Sequence, residues 1–329
     1  MQSGGKSAYS GVLSRAQGCL LGQFIGDSLG SLVEFKGLSE IRRMYPNGVR
    51  DMADGGTWNT LAGQPTDDSE MALMLARSLV AQGRFDMEEV RKGYCYWLDS
   101  GPFDVGNTIW SGLAGRHSPG SQANGAMMRI SPLGIFGVNY RLEEVAEWAK
   151  QDAAITHIHP VCQQANALFA MAITHAVGTG CGARELYSRV AGWAEEMDAR
   201  ASLKETITGA ADSPPDDYVD KMGWVLIAFR NALWQLLHAE NVEEGIVDTI
   251  MRGGDTDTNA AICGALLGAV YGREAFPTRW IGTIRNCRPR AGDPRVRKPR
   301  PECFWPVDAL ELAEQLIGYE SSAVTSANG

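Results

Sequence analysis

Four glycines at four-residue intervals, Gly18, Gly22, Gly26 and Gly30, run through an otherwise largely apolar segment, GCLLGQFIGDSLGSLVEF. Leu21, Phe24, Ile25, Leu29 and Leu32 fall on one face, so the spacing predicts a helix from about Val12 to Phe35. A glycine inside a helix costs ~1 kcal/mol relative to alanine. Stacked on one stripe, the four instead let a neighbouring helix approach very closely. The stretch GALLGAVYG repeats the interval at Gly264, Gly268 and Gly272. Two such helices are expected as central neighbours, which steers the chain towards a helical bundle.

The rest of the chain supports an all-α class. Helical periodicity recurs over 69–81, 87–99, 126–136, 142–154, 160–177, 183–198, 217–238, 242–252 and 258–271, while period-two alternation is scarce. The turn-rich stretch 51–63 reads as a loop. A single domain is expected over 12–318, flanked by mobile tails at 1–11 and 319–329. Residues 285–301 are basic and proline-rich. They read either as a solvated surface loop or as a contact for an acidic partner or a phosphate. With 44% apolar residues, 329 residues can bury a sizeable core. The net charge of −9 argues against general nucleic-acid binding, which needs a basic face. Seven scattered cysteines form no CxxC pair and read as reduced core residues. No apolar run reaches the ~18 residues of a membrane span. The N-terminal residues carry no apolar signal core, so the cytoplasm is the expected location.

Two short motifs carry the chemistry. Pro65-Thr66-Asp67-Asp68-Ser69-Glu70 and Gly253-Gly254-Asp255-Thr256-Asp257-Thr258 both open a predicted helix. Acids and hydroxyls are common caps, and Asp67 with Glu70 mimics a capping box. Capping needs one residue, however, and each motif supplies two acids flanked by hydroxyls. Such dense hard oxygen donors suit Mg²⁺, Mn²⁺ or Ca²⁺ better than zinc. If the two helix starts meet, each like-charge pair at ~5 Å costs roughly 3 kcal/mol at an effective dielectric of ~20. Two divalent cations would cancel four carboxylates. Asp27 and Glu34, seven apart, would share a helix face. Glu34 lies between Val33 and Phe35, where it reads either as a solvated helix-end charge or as an acid or base of raised pKa.

In these residues the chain resembles the ADP-ribosylglycohydrolase family. The blocks come in order: GCLLGQFIGDSLGSLVEF, PTDDSEMALMLARSL, FDVGNTIWSGL, NGAMMRISPLG, THIHP and GGDTDTNAAICGALLGAVYG, over about 18–272. Within that family it resembles the branch of dinitrogenase-reductase-activating and ADP-ribosylarginine hydrolases. The resemblance implies a compact orthogonal bundle of α-helices. It implies two divalent cations, Mg²⁺ or Mn²⁺, held by Thr66, Asp67, Asp68, Asp255, Asp257 and Thr258. Glu34 would lie by the scissile ribose as a catalytic or gating carboxylate, acting with Asp68 and Asp257. Asp104 would face the leaving guanidinium, or else cap a helix. Asn124, Gly125, Ala126 and Met127 would cradle the pyrophosphate at a helix start, although Ala123 stands where the family often has glycine. His157 would lie beside ADP-ribose, or serve as a structural histidine, and Tyr218 would stack near the adenosine. Arg129 reads equally as a core or a phosphate residue.

The function so implied is metal-assisted removal of ADP-ribose from a modified protein side chain, most simply arginine, through an oxocarbenium-like transition state. One alternative is an immunity-type protein that blocks a cognate ADP-ribosyltransferase. Another is a phosphoesterase that cuts the pyrophosphate.

Overall fold

A computed structural model describes residues 3–318, with side chains from Tyr9 onward. Among these residues there are fifteen α-helices, and the only β pairings are isolated bridges. In order they are α1 (Ser3–Gly30), α2 (Leu38–Met44), α3 (Asp67–Gln82), α4 (Met87–Asp99), α5 (Asn107–Leu113), α6 (Ser131–Phe136), α7 (Leu142–Ala154), α8 (Pro160–Thr179), α9 (Ala183–Glu196), α10 (Ala201–Gly209), α11 (Val225–His238), α12 (Val242–Met251), α13 (Thr256–Tyr271), α14 (Thr278–Asn286) and α15 (Ala309–Leu316). None is long and apolar enough to cross a membrane.

The glycine stripes meet. A Cβ on Gly18 would lie 2.6 Å from the Gly268 carbonyl oxygen, one on Gly22 would strike the Gly264 carbonyl, and one on Gly26 that of Ala260. One on Gly30 would enter the backbone of Asp257. The rising numbers on α1 oppose falling numbers on α13, so the two helices are antiparallel and in backbone contact. Leu20, Leu21, Phe24, Ile25 and Leu29 around α1 are all fully buried, as expected of a helix enclosed on all sides. One large core extends from this pair out to α15.

Several boundaries differ from expectation. The first helix begins at Ser3, not at Val12, because Tyr9, Val12 and Leu13 already pack against the core. It stops at Gly30, not at Phe35, and residues 31–35 form turns. Residues 125–129 are turns, so the helix expected from 126 opens only at Ser131, and α11 starts at Val225 instead of 217. The unanticipated α2, α5, α10, α14 and α15 have seven to nine residues. α2 and α14 bury only one and two side chains, too few for a periodic signal, whereas α15 buries Ala309, Leu312, Ala313 and Leu316 at helical spacing, a pattern the sequence does carry. Residues 1–2 and the tail from 319 lie outside the described residues. All seven cysteines are free, and five are buried.

The proline-rich segment is irregular from Cys287 onward. It is not simply solvated. Arg300 is buried and makes a two-pronged ion pair with Glu70 of α3, Nε to Oε1 at 2.7 Å and Nη2 to Oε2 at 2.8 Å. Trp97 Nε1 donates to the same carboxylate at 2.8 Å. Gln64 Nε2 donates to the Lys298 carbonyl at 2.6 Å, which straps the segment beside the start of α3.

Candidate metal centre and substrate cavity

The antiparallel register brings the last turn of α1 beside the first turn of α13, and α3 begins next to both. Asp27, one turn before the end of α1, accepts from Thr66 Oγ1 at 2.9 Å, Thr66 N–H at 3.2 Å and Ser69 N–H at 3.1 Å. The free amides at the start of α3 are therefore satisfied by another helix. Thr66 is the N-cap but makes no capping bond, and its hydroxyl also reaches Asp68 Oδ2 at 3.1 Å. With Glu70 committed to Arg300, the capping-box reading fails, and Asp67 and Asp68 are free of that duty. At α13, the N-cap Asp255 likewise makes no capping bond and accepts from Asn124 Nδ2 at 2.7 Å.

The two acidic helix starts converge. Asp27, Asp68 and Asp257 each place a carboxylate oxygen within 4.8 Å of the others, and Glu34, Asp104 and Asp257 form a second such group. Asp68 Oδ1 and Asp257 Oδ2 are buried without a hydrogen-bond partner. Buried, unpartnered carboxylate oxygens are costly, and an all-oxygen donor set around them fits hard divalent cations.

The electrostatics point the same way. Loss of water pushes Asp27 up to about 6, against the bonds from Ser69 and Thr66. Burial first, then repulsion from Asp104 and Asp255, pushes Glu34 to about 8. Asp104 rises to about 6, chiefly through burial. Burial and then mutual repulsion lift Asp67, Asp68 and Asp257 well above the usual carboxylate range. Nearby cations would reverse these shifts.

Glu34 reaches the site from the turn after α1, so it does not share a helix face with Asp27. Phe35 holds φ at 65°, in the left-handed region. Its N–H donates to the Gly254 carbonyl at 2.8 Å, and Gly254 N–H returns to the Lys36 carbonyl at 2.9 Å. The turn is thereby fastened to the second acidic motif. Trp58 Nε1 donates to Glu34 Oε2 at 2.5 Å. Trp58 also stands between Phe35 and Phe103, at ring distances of 6.3 and 6.0 Å.

Several of these carboxylates line a cavity of about 360 Å³. Glu34, Asp67, Asp68, Asp104, Asp255 and Thr258 line it, and Asn124, Gly125, Met128 and His157 continue the wall. Asp104 precedes α5, whose N-cap is Gly106, so it is not the helix cap. At Asn124 the backbone makes one tight turn, with Met127 and Met128 N–H returning to the Asn124 carbonyl at 2.7 and 3.1 Å. This is a turn and not a helix start, since α6 opens only at Ser131. A Cβ on Gly125 would sit 2.9 Å from Ile109 and 3.2 Å from His157, so only glycine keeps this part of the wall open. Ala126 and Met127 are buried behind it.

Tyr218 is not brought to the cavity. It is buried and donates from its hydroxyl to Asn231 Oδ1 at 2.7 Å, while Met222 and Gly223 take the place on the wall. Arg129 is a core residue, paired with Asp152 where neither side chain is exposed. The sequence pairs Asp27 with Glu34 on a helix face and not with Thr66 or Ser69, and Trp58 stands there only as an aromatic in a loop. Their partners lie across the fold, so no local pattern marks either.

A family model described as ADP-ribosylglycohydrolase matches residues 8–320. An ADP-ribosyl-[dinitrogen reductase] glycohydrolase of Rhodospirillum rubrum is 30% identical, over 83% of this chain and 91% of that relative. An ADP-ribosylarginine hydrolase Tri1 of Pseudomonas putida is 29% identical, over 83% and 75%. The human ADP-ribosylhydrolase ARH3 is 25% identical, over 82% and 88%. A solved structure titled ADP-ribosylglycohydrolase-related protein complex superposes with a TM-score of 0.77 at 25% identity, covering 94% of this chain and 98% of that one. The chain thus belongs to the ADP-ribosylglycohydrolase family, hydrolases acting on ADP-ribosylated substrates.

Proposed function

We propose that this protein removes ADP-ribose from modified arginine side chains with the help of two divalent cations, Mg²⁺ being the best match. The observation that carries this reading is the meeting of Asp68 and Asp257, each with an unpartnered buried oxygen, beside Glu34 and Asp104, which together with Asp68 line the cavity. Asp27, Asp67, Asp68, Asp255 and Asp257, with the hydroxyls of Thr66 and Thr258, are the groups that would hold the ions. When bound, the cations supply Lewis-acid polarisation and cancel the carboxylate charge.

The chain's own residues do the rest. Glu34 is aimed by the indole N–H on its Oε2, which leaves Oε1 to hold or pass a proton as the glycosidic bond breaks. Its negative form stabilises an oxocarbenium-like transition state. Asp104, with a carboxylate oxygen within 4.8 Å of one of Glu34, can accept paired N–H bonds from a guanidinium leaving group. The Asn124–Gly125 turn and His157 bind and orient the ADP-ribose portion. The Pseudomonas putida relative is named an ADP-ribosylarginine hydrolase, which supports the arginine linkage. The relatives' names are those of hydrolases, so catalysis is adopted over occlusion of a partner transferase.

The test is incubation with ADP-ribosyl-arginine, ADP-ribosyl-serine and O-acetyl-ADP-ribose, with and without EDTA. Free ADP-ribose from the arginine substrate, abolished by EDTA and restored by Mg²⁺, is the expected result. Release of AMP would show pyrophosphate cleavage and overturn the assignment.

A further inference from the structure

Behind the cavity wall lies a buried polar cluster remote from the carboxylates in its bonding. Arg129 Nε pairs with Asp152 Oδ2 at 3.1 Å and Nη2 donates to the Asp152 carbonyl at 2.8 Å. Its guanidinium lies 4.3 Å over the ring of Tyr94, whose hydroxyl donates to Asp152 Oδ1 at 2.6 Å. Its remaining prong, Nη1, donates to Thr156 Oγ1 at 3.0 Å. Thr156 Oγ1 in turn lies 2.7 Å from His157 Nδ1. His157 is 1% exposed, its Nε2 has no partner, and its ring lines the cavity.

The donor inventory decides where the hydrogens go. A guanidinium only donates, so Thr156 Oγ1 accepts from Arg129. The hydroxyl carries one hydrogen, and the acceptor within reach is His157 Nδ1. That nitrogen must therefore accept, and the ring hydrogen resides on Nε2. Burial and then the charge of Arg129 hold the imidazole pKa down at about 3, so the ring is neutral and carries a single hydrogen. The ring carbon between the two nitrogens faces the Asn124–Gly125 turn, since a Gly125 Cβ would meet His157 Cε1 at 3.2 Å.

We infer that Thr156, oriented by buried Arg129, is a positioning residue that locks His157 in its Nε2–H tautomer, so that the buried, unpartnered Nε2 of this cavity-lining ring holds one fixed hydrogen-bond donor for an acceptor oxygen of bound ADP-ribose. The tautomer follows from the buried cluster alone, and the ligand half rests on the functional reading above. A donor set in advance spares the ring a tautomer change on binding, so its absence weakens affinity more than turnover.

The experiment uses the full chain labelled with [¹⁵N]histidine and ring ¹H–¹⁵N correlation without ligand. Among the five histidines, His157 is identified by the signal missing from H157N. The wild type is expected to show hydrogen on Nε2 and an accepting Nδ1. T156V keeps the branched shape without the hydroxyl, and should populate the second tautomer. ADP-ribose binding should weaken about 10-fold, with KM rising alike and kcat held within about twofold. T156S should restore the wild-type pattern and affinity, and T156A substitutes if T156V does not fold. Wild-type hydrogen on Nδ1, or a T156V protein with unchanged tautomer and affinity, overturns the inference. If the ring pattern is as expected but wild type does not bind ADP-ribose, the ligand half falls together with the functional reading.

Discussion

Asp257 belongs to both carboxylate groups, and its Oδ2 has no partner of its own. D257N keeps the shape and removes the charge, and should cut kcat/KM by about 100-fold or more, because under the proposed two-ion reading this carboxylate would be shared by both ions. D68N should behave alike. Steady-state kinetics with added Mg²⁺ checks both, and near-normal turnover in either would contradict a two-ion centre. Trp58 tests a subtler point. W58F keeps an aromatic ring in the loop but loses the donor to Glu34. We expect kcat to fall on the order of 10-fold, with KM little changed, as for other residues that orient an acting group. At this scale the sequence was informative where chemistry repeats locally. Asp67, Asp68, Asp255 and Asp257 stand out because acids come in twos beside hydroxyls. Asp27 does not, because its meaning lies in the amides of Thr66 and Ser69 on a different helix.

Two contacts between elements invite direct tests. Replacing Gly26 with alanine would drive a methyl group into the Ala260 carbonyl of α13. The helices must then separate, at a cost of about 3 kcal/mol or more, read from urea unfolding. Breaking the Arg300–Glu70 pair leaves an uncompensated buried carboxylate. R300M should destabilise by about 3–5 kcal/mol, and adding E70Q should recover much of it by removing the stranded charge. A single variant as stable as wild type would argue that Glu70 finds another partner. The long helices and the glycine stripes were legible because their periods persist over several turns. The strap from residue 287 was not. Its basic composition resembles any solvated loop, and the one arginine that turns inward is distinguished only by a glutamate more than two hundred positions away.

For the whole molecule, crowded carboxylates make stability depend on pH and cations together. Glu34, Asp27 and Asp104 have folded values of about 8, 6 and 6, all above their unfolded range. Over that interval the folded state binds more protons than the unfolded chain, so unfolding free energy falls as pH rises. Ion-free protein should therefore lose thermal stability from about pH 4 to about pH 8, and Mg²⁺ at pH 8 should restore it. Calorimetry with and without EDTA checks the sign, and a midpoint that rises with pH in EDTA would refute it. The meeting of the two motifs was an expectation that only a three-dimensional register could answer. The far wall of the cavity was less legible, and Tyr218 turned out to face Asn231. The closeness of α1 to α13 has a last consequence. Gly30 abuts the backbone of Asp257, so the spacing of the main chains that carry Asp27 and Asp257 is fixed by direct backbone contact. In an unbiased activity screen, a larger residue at Gly30 would score like a missing acid although every acid is still there, and evolutionary drift should be as restricted at that glycine as at the aspartates.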